Sequence, residues 1–145
     1  MKFEFSAGGI VFKKEGGKIY ILLCKHSSNH TWVFPKGLIG DHNKGEKKEE
    51  TAIREVKEET GVDAKIIEPL KPIAFWYKFN GELIKKTVYY YLMEYVSGDT
   101  TQHDFEMEAV EWVPIEEIND RLSHKSDKQL FKETQKRIEE LISAE

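Results

Sequence analysis

The chain's 145 residues suffice for one domain with a real core, and 39% hydrophobic with 33% charged residues describes a globular protein. A net charge of −4 argues against tight binding to nucleic-acid polymers, whose binders carry a basic patch or stripe, but leaves room for a small polyphosphate if metal ions supply positive charge. Cys24 is the only cysteine, the start MKFEFSAGGIVF lacks a signal-peptide core, and no segment is long enough to span a bilayer, so no intrachain disulfide, no membrane and a cytoplasmic location are expected. In chain order, FEFSAGGIVF reads as a strand in which Gly8-Gly9 marks a bulge or a close backbone approach. KKEGGK is a turn into the strand IYILLCKH, SSNHT is a loop, and WVFPKG is a short extended piece. A loop over about 38–45 leads to a helix over 47–60 that Gly61 terminates. The segment 64–79, interrupted by Pro69 and Pro72, turns at Asn80-Gly81 into LIKKTVYYYLMEYV as a long hairpin. SGDTTQHD is a loop and MEAVEWVP a final strand. Ser126 and Gln129 fit a capping box for a last helix with Leu130, Phe131, Thr134, Ile138, Leu141 and Ile142 on one face. Strands with one helix in the middle and one at the end predict a mixed sheet covered on both faces.

The helix over 47–60 carries an unusual charge pattern: Glu55, Glu58 and Glu59 crowd together directly behind Arg54. At about 100° per residue, Ala52, Ile53, Val56 and Thr60 should face the sheet, with the glutamates in a neighbouring arc. Glu55 and Glu59 stand one above the other, and a like-charge pair at that spacing costs about 0.2–0.5 kcal/mol. Either the arc is a solvated face exchanging ion pairs with Lys48 and Lys57, or a hard divalent cation sits there and reverses the sign.

Spacing decides between them. From Gly40 the chain shows five residues, Glu46, seven residues, Arg54-Glu55-Val56, one residue, Glu58-Glu59, one residue, Gly61-Val62. This resembles the signature box of the Nudix hydrolases at every specified position. FPKG resembles the turn that opens the box in the diadenosine tetraphosphate hydrolase branch. Counted from Gly37, however, the distance to Glu46 is three residues longer than the pattern. Either Gly40 opens the box, or Gly37 does and LIGDHNKG carries an insertion; the match of WVFPKG around it favours Gly37. His42 in that loop reads as an exposed histidine rather than a ligand.

The resemblance implies an α/β/α sandwich with a mixed sheet between helices, one domain over 1–145, and magnesium-dependent hydrolysis of a pyrophosphate bond in a nucleoside diphosphate derivative, with manganese a possible substitute. It implies that Glu55 and Glu59 are metal ligands, that Glu58 is a ligand or the base, and that Arg54 orients the glutamates. Glu46 supports the loop or the metal shell from its edge, and a backbone carbonyl near Lys36 or Gly37 adds a ligand. The resemblance extends to FSAGGIVF, FWYKFNGELIKKTVYYYL and EWVPIEE, which cover most of the chain. On it, Lys36 and Lys86 match phosphate-contacting lysines, and Tyr77 matches a substrate tyrosine able to stack on adenine. His30 is the nearest histidine to a phosphate-binding position that Thr31 occupies. Glu106, with Glu108 as fallback, matches a further metal-binding or base glutamate. Lys85 and Lys86 point to opposite faces, as do Tyr90 and the pair Tyr89 and Tyr91, so the register decides which enters a cleft. In the resembled branch a small nucleotide polyphosphate, diadenosine tetraphosphate, is cleaved to ATP and AMP. The alternatives are another diphosphate (a damaged nucleotide, an RNA 5′ end or a diphosphoinositol phosphate) or a nucleotide sensor without turnover.

Overall fold

A computed structural model describes residues 1–40 and 44–145; His42 and the middle of its loop lie outside the described residues. The described elements are β1 (Lys2–Glu15), β2 (Lys18–His26), β3 (Trp32–Val33), β4 (Lys36–Leu38), α1 (Lys48–Thr60), β5 (Val62–Pro69), β6 (Ile73–Phe79), β7 (Glu82–Gly98), β8 (Met107–Pro114), α2 (Ile118–Arg121) and α3 (Lys125–Ser143). All the strands join one mixed sheet ordered β3-β2-β1-β7-β5, with β4 added to β1, β6 to β7 and β8 to β2. Pro69 and Pro72 split the expected hairpin arm in two, because proline breaks a ladder. Both halves, β5 and β6, then pair in tandem with the single long β7. Asn80 (φ 51°) and Gly81 (φ 78°) form the two-residue turn that the Asn-Gly pair predicts.

The parallel pairing of β1 with β7 fixes what each face carries, since side chains alternate. Ala7, Val11, Tyr91 and Met93 pack under α1, while Ile10, Phe12, Tyr90 and Leu92 pack toward α2 and α3. Each fully buried large apolar side chain contributes about 1.5–3 kcal/mol. The expected α3 face forms, with Leu130, Phe131, Thr134 and Ile138 buried and Leu141 and Ile142 partly so. The helix starts earlier than Ser126, however: His124 caps it, and neither His124 nor Ser126 supplies a side-chain cap bond.

The Gly8-Gly9 expectation resolves as close approach. A Cβ on Gly8 would lie 2.1 Å from the Pro35 carbonyl oxygen, and one on Gly9 2.7 Å from Met93 Sδ. β1 pairs with β2 only over Phe12 to Glu15, and its residues Ser6 to Gly8 take β4 instead. β2 meanwhile pairs with β8 and β3. The sheet therefore parts between β1 and β2, and β4 and α1 meet at the opening.

Candidate active site

Helix α1 seats differently from its apolar pattern. Ile53 is 41% exposed, whereas Glu55 and Glu59 are 6% and 5% exposed. The packed face is centred on Ala52, Val56, Glu55 and Glu59, so the two glutamates are pressed against β4 rather than lying beside the packed face. Gly37 makes this possible: a Cβ there would stand 2.0 Å from Glu55 Oε2. The neighbouring Lys36 amide donates to Glu59 Oε1 at 3.2 Å. The steric role at the mouth of the helix thus falls to Gly37.

Arg54 organises the acids from behind. Its Nε and Nη2 fork onto Glu46 at 2.8 and 2.9 Å, and its Nη1 donates to Glu55 at 3.3 Å and Glu58 at 3.1 Å. Thr51 Oγ1 donates to Glu46 at 2.6 Å. The Arg54 fork, aided by Thr51, holds the Glu46 carboxyl down at about 2, and the same pairing raises the Arg54 pKa. Glu59 is pushed up to about 8, first by burial and then by the Glu55 charge, with Lys36 opposing.

The cleft above these groups measures about 300 Å³ and is lined by His26, Lys36, Gly37, Leu38, Glu55, Glu58, Glu59, Lys86, Asp104 and Glu106. Asp104 and Glu106 come from the loop before β8, which is latched at both sides. The Asp104 amide donates to the Glu58 carbonyl at 3.0 Å, and the Ser27 amide and hydroxyl donate to the Glu106 carbonyl at 3.0 and 2.9 Å. Burial and the nearby Lys36 lower the Lys86 pKa. Burial, then Lys36, lowers that of His26.

Seven of the residues singled out in the sequence therefore meet: Lys36, Gly37, Glu55, Glu58, Glu59, Lys86 and Glu106. Two do not. His30 is exposed and pairs through Nδ1 with Glu108 on the surface, so neither lines the cleft. Tyr77 donates its hydroxyl to Glu4 at 2.5 Å on β1 and lines no part of the cleft. Lys85 lies on the far face, over the Trp76 ring at 5.6 Å. Tyr89 and Tyr91 turn toward α1, where Tyr91 donates to Glu49 at 3.0 Å and Lys48 covers Tyr89. His26 and Asp104 lack any signal in the sequence; they reach the cleft through the pairing of β2 with β8 and the latch on α1.

The donor set suits a hard divalent cation, since buried carboxylates that repel one another gain from a shared positive charge. Among the described residues, no three His, Cys, Asp or Glu side chains are already gathered to coordinate a metal. Arg54 instead engages Glu55 and Glu58. Also among the described residues, no helix is long and apolar enough to cross a membrane.

Comparison with known proteins follows the same line. The NUDIX domain model matches residues 2–134. The "Putative mutator protein MutT4" of Mycobacterium tuberculosis is 35% identical over 146 residues, covering 97% of this chain and 58% of that protein. Nudix hydrolase 10 of Arabidopsis thaliana is 32% identical over 128 residues, covering 87% of this chain and 42% of its own length. The chain thus spans about half the length of these relatives. The crystal structure of a Caenorhabditis elegans Ap4A hydrolase binary complex superposes with a TM-score of 0.75 at 25% identity, covering 93% of this chain and 97% of that one.

Proposed function

Because the chain belongs to the Nudix family of hydrolases, whose members use divalent cations, we propose that it hydrolyses the polyphosphate bridge of a dinucleoside polyphosphate, cleaving diadenosine tetraphosphate asymmetrically to ATP and AMP. The observation that carries this reading is a single cleft lined by Glu55, Glu58 and Glu59 together with Lys36 and Lys86. Carboxylates and ammonium groups in one cleft suit a bridging polyanion that arrives with metal. The likeness to the nematode Ap4A hydrolase supports the narrower substrate.

Magnesium, with manganese as substitute, would be held by Glu55, Glu58, Glu59 and Glu106 together with the Gly37 carbonyl, and would supply charge neutralisation and acidify a bound water. Glu58 is the most open of the three helix glutamates, with 35% of its side chain exposed, and serves as the base that takes the water's proton. Lys36 and Lys86 hold the bridging phosphates and balance charge as the bond breaks. Arg54 does not line the cleft; it holds Glu55 and Glu58 from behind. Cys24 is fully buried with a raised pKa, chiefly from burial, which speaks against a covalent route.

The test is incubation with magnesium and diadenosine tetraphosphate, with products resolved, beside Glu58→Gln. ATP and AMP should appear, fall by roughly 10²–10⁴-fold in the variant, and vanish on chelation. Two ADP molecules, or no turnover by folded protein, would sink the substrate assignment. The mycobacterial relative is named a putative mutator protein, and a damaged nucleotide is the second reading here; inorganic pyrophosphate release from such a substrate would support it.

A further inference from the structure

Two spaces adjoin the acidic cleft. The smaller, about 450 Å³ on the α3 side of the sheet, shares Lys36 with the cleft and has Phe75 in its wall. The larger, a groove of about 660 Å³ on the α1 side, shares Leu38 with it. The rings of that groove are Phe3, Phe5 and Tyr89, and its charged residues are Lys2, Lys48 and Glu4. Strand alternation puts Phe3, Phe5 and Ala7 on one face of β1. Helix α1 packs on Ala7 and starts at Lys48, so Phe3 and Phe5 run on past it and stay 54% and 47% exposed. Neighbouring exposed aromatics rimmed by charge mark a binding surface. The charges tip it positive: Glu4 is already engaged by the Tyr77 hydroxyl at 2.5 Å and by Lys2 at 3.9 Å. Lys48, 4.4 Å over the Tyr89 ring, brings a further cation to the groove.

We propose that this α1-side groove takes one terminal nucleoside of a dinucleoside polyphosphate, with the base stacked on Phe5 and Phe3 and the adjoining phosphate near Lys48. The bridge then lies in the acidic cleft and passes from one space to the other across Leu38, the side chain that lines both. Every base has a face to lay on a ring, so stacking on phenylalanine tolerates any base. The groove therefore senses that a second nucleoside is present rather than which one it is. A second copy of this chain could also cover exposed phenylalanines, but it would need neither the lysines nor continuity with the cleft. The inference rests on the reading of the substrate as a dinucleoside polyphosphate.

Calorimetric titration of Glu58→Gln with magnesium present reads binding with turnover suppressed. Diadenosine tetraphosphate should bind roughly tenfold more tightly than adenosine 5′-tetraphosphate, which has the same bridge and a single base. Adding Phe5→Ala should bring that ratio close to one, whereas Phe5→Trp, which keeps a ring, should preserve it. A ratio near one before Phe5 is changed, binding of neither ligand, or an unchanged ratio in folded Phe5→Ala would overturn the proposal. So would a parent that sediments as a dimer and dissociates on Phe5→Ala, since the patch would then be an interface between copies. Cleavage of diadenosine tetraphosphate with no such ratio removes the groove and keeps the proposed reaction. Selective binding by a parent that does not cleave it keeps the groove and removes only the reaction.

Discussion

Glu46 and Glu59 are both nearly buried, yet their surroundings act on them in opposite directions. Arg54 and Thr51 hold Glu46 at about 2, so the stability from that pairing is present above the ordinary 4.5 and is lost as pH falls toward 2. Burial and Glu55 hold Glu59 at about 8, so its stability contribution is full below 4.5 and is lost as pH rises through 8. With a chelator present, the thermal midpoint should therefore decline across that upper window. Glu59→Gln should flatten the decline and raise the midpoint at its alkaline end, while abolishing metal-dependent turnover. An identical slope in the variant would show that Glu59 does not carry the strain. Gly37→Ala is the steric counterpart: a methyl group against the Glu55 carboxylate should cost about 1–3 kcal/mol. Kinetics should show the larger loss in kcat, because Lys36 and Lys86 keep their positions.

For helix α1, apolar periodicity puts Ile53 on the packed face, and the fold exposes it. The helix turns about its axis because Gly37 and the Lys36 amide draw Glu55 and Glu59 inward. Ile53→Lys should accordingly shift stability by no more than about 0.5 kcal/mol. A fall of several times that size, read from denaturant unfolding, would restore the seating expected from the pattern. At α3 the departure is smaller: a Ser-x-x-Gln spacing is a local signal, and the turn from Leu122 to His124 starts the helix ahead of it. The loop from Asp99 to Glu106 has no regular signal at all. It is ordered by bonds to Glu58 and Ser27, residues far away in sequence.

Across the whole molecule, the cleft takes residues from β2, β4, α1, β7 and the loop before β8, and exists because β1 exchanges β2 for β4 along its length. Its acids repel one another until a cation arrives, so magnesium binding should report on the fold as well as on chemistry. At a concentration a hundredfold above its dissociation constant, magnesium should stabilise the protein by about 2.7 kcal/mol, seen as a rise in thermal midpoint. Glu55→Gln should remove most of that rise. An equal rise in the variant would place the ion elsewhere.

What the sequence determined by itself was what short-range rules govern. The order of elements, the Asn80-Gly81 turn, the α3 face and the array of glutamates on one helix follow from periodicity and spacing within single elements. So did the family, because the box is a local motif. Which distant residues join that array was decided only in the tertiary structure. Lys86 enters and Lys85 does not because of one residue of register on β7. His30 and Tyr77 leave the site, and His26, Asp104 and Phe75 appear in or beside it, through strand pairings separated by tens of residues. Strand register sets both the face and the neighbours of every side chain, and the partner strand that fixes it lies outside any local window.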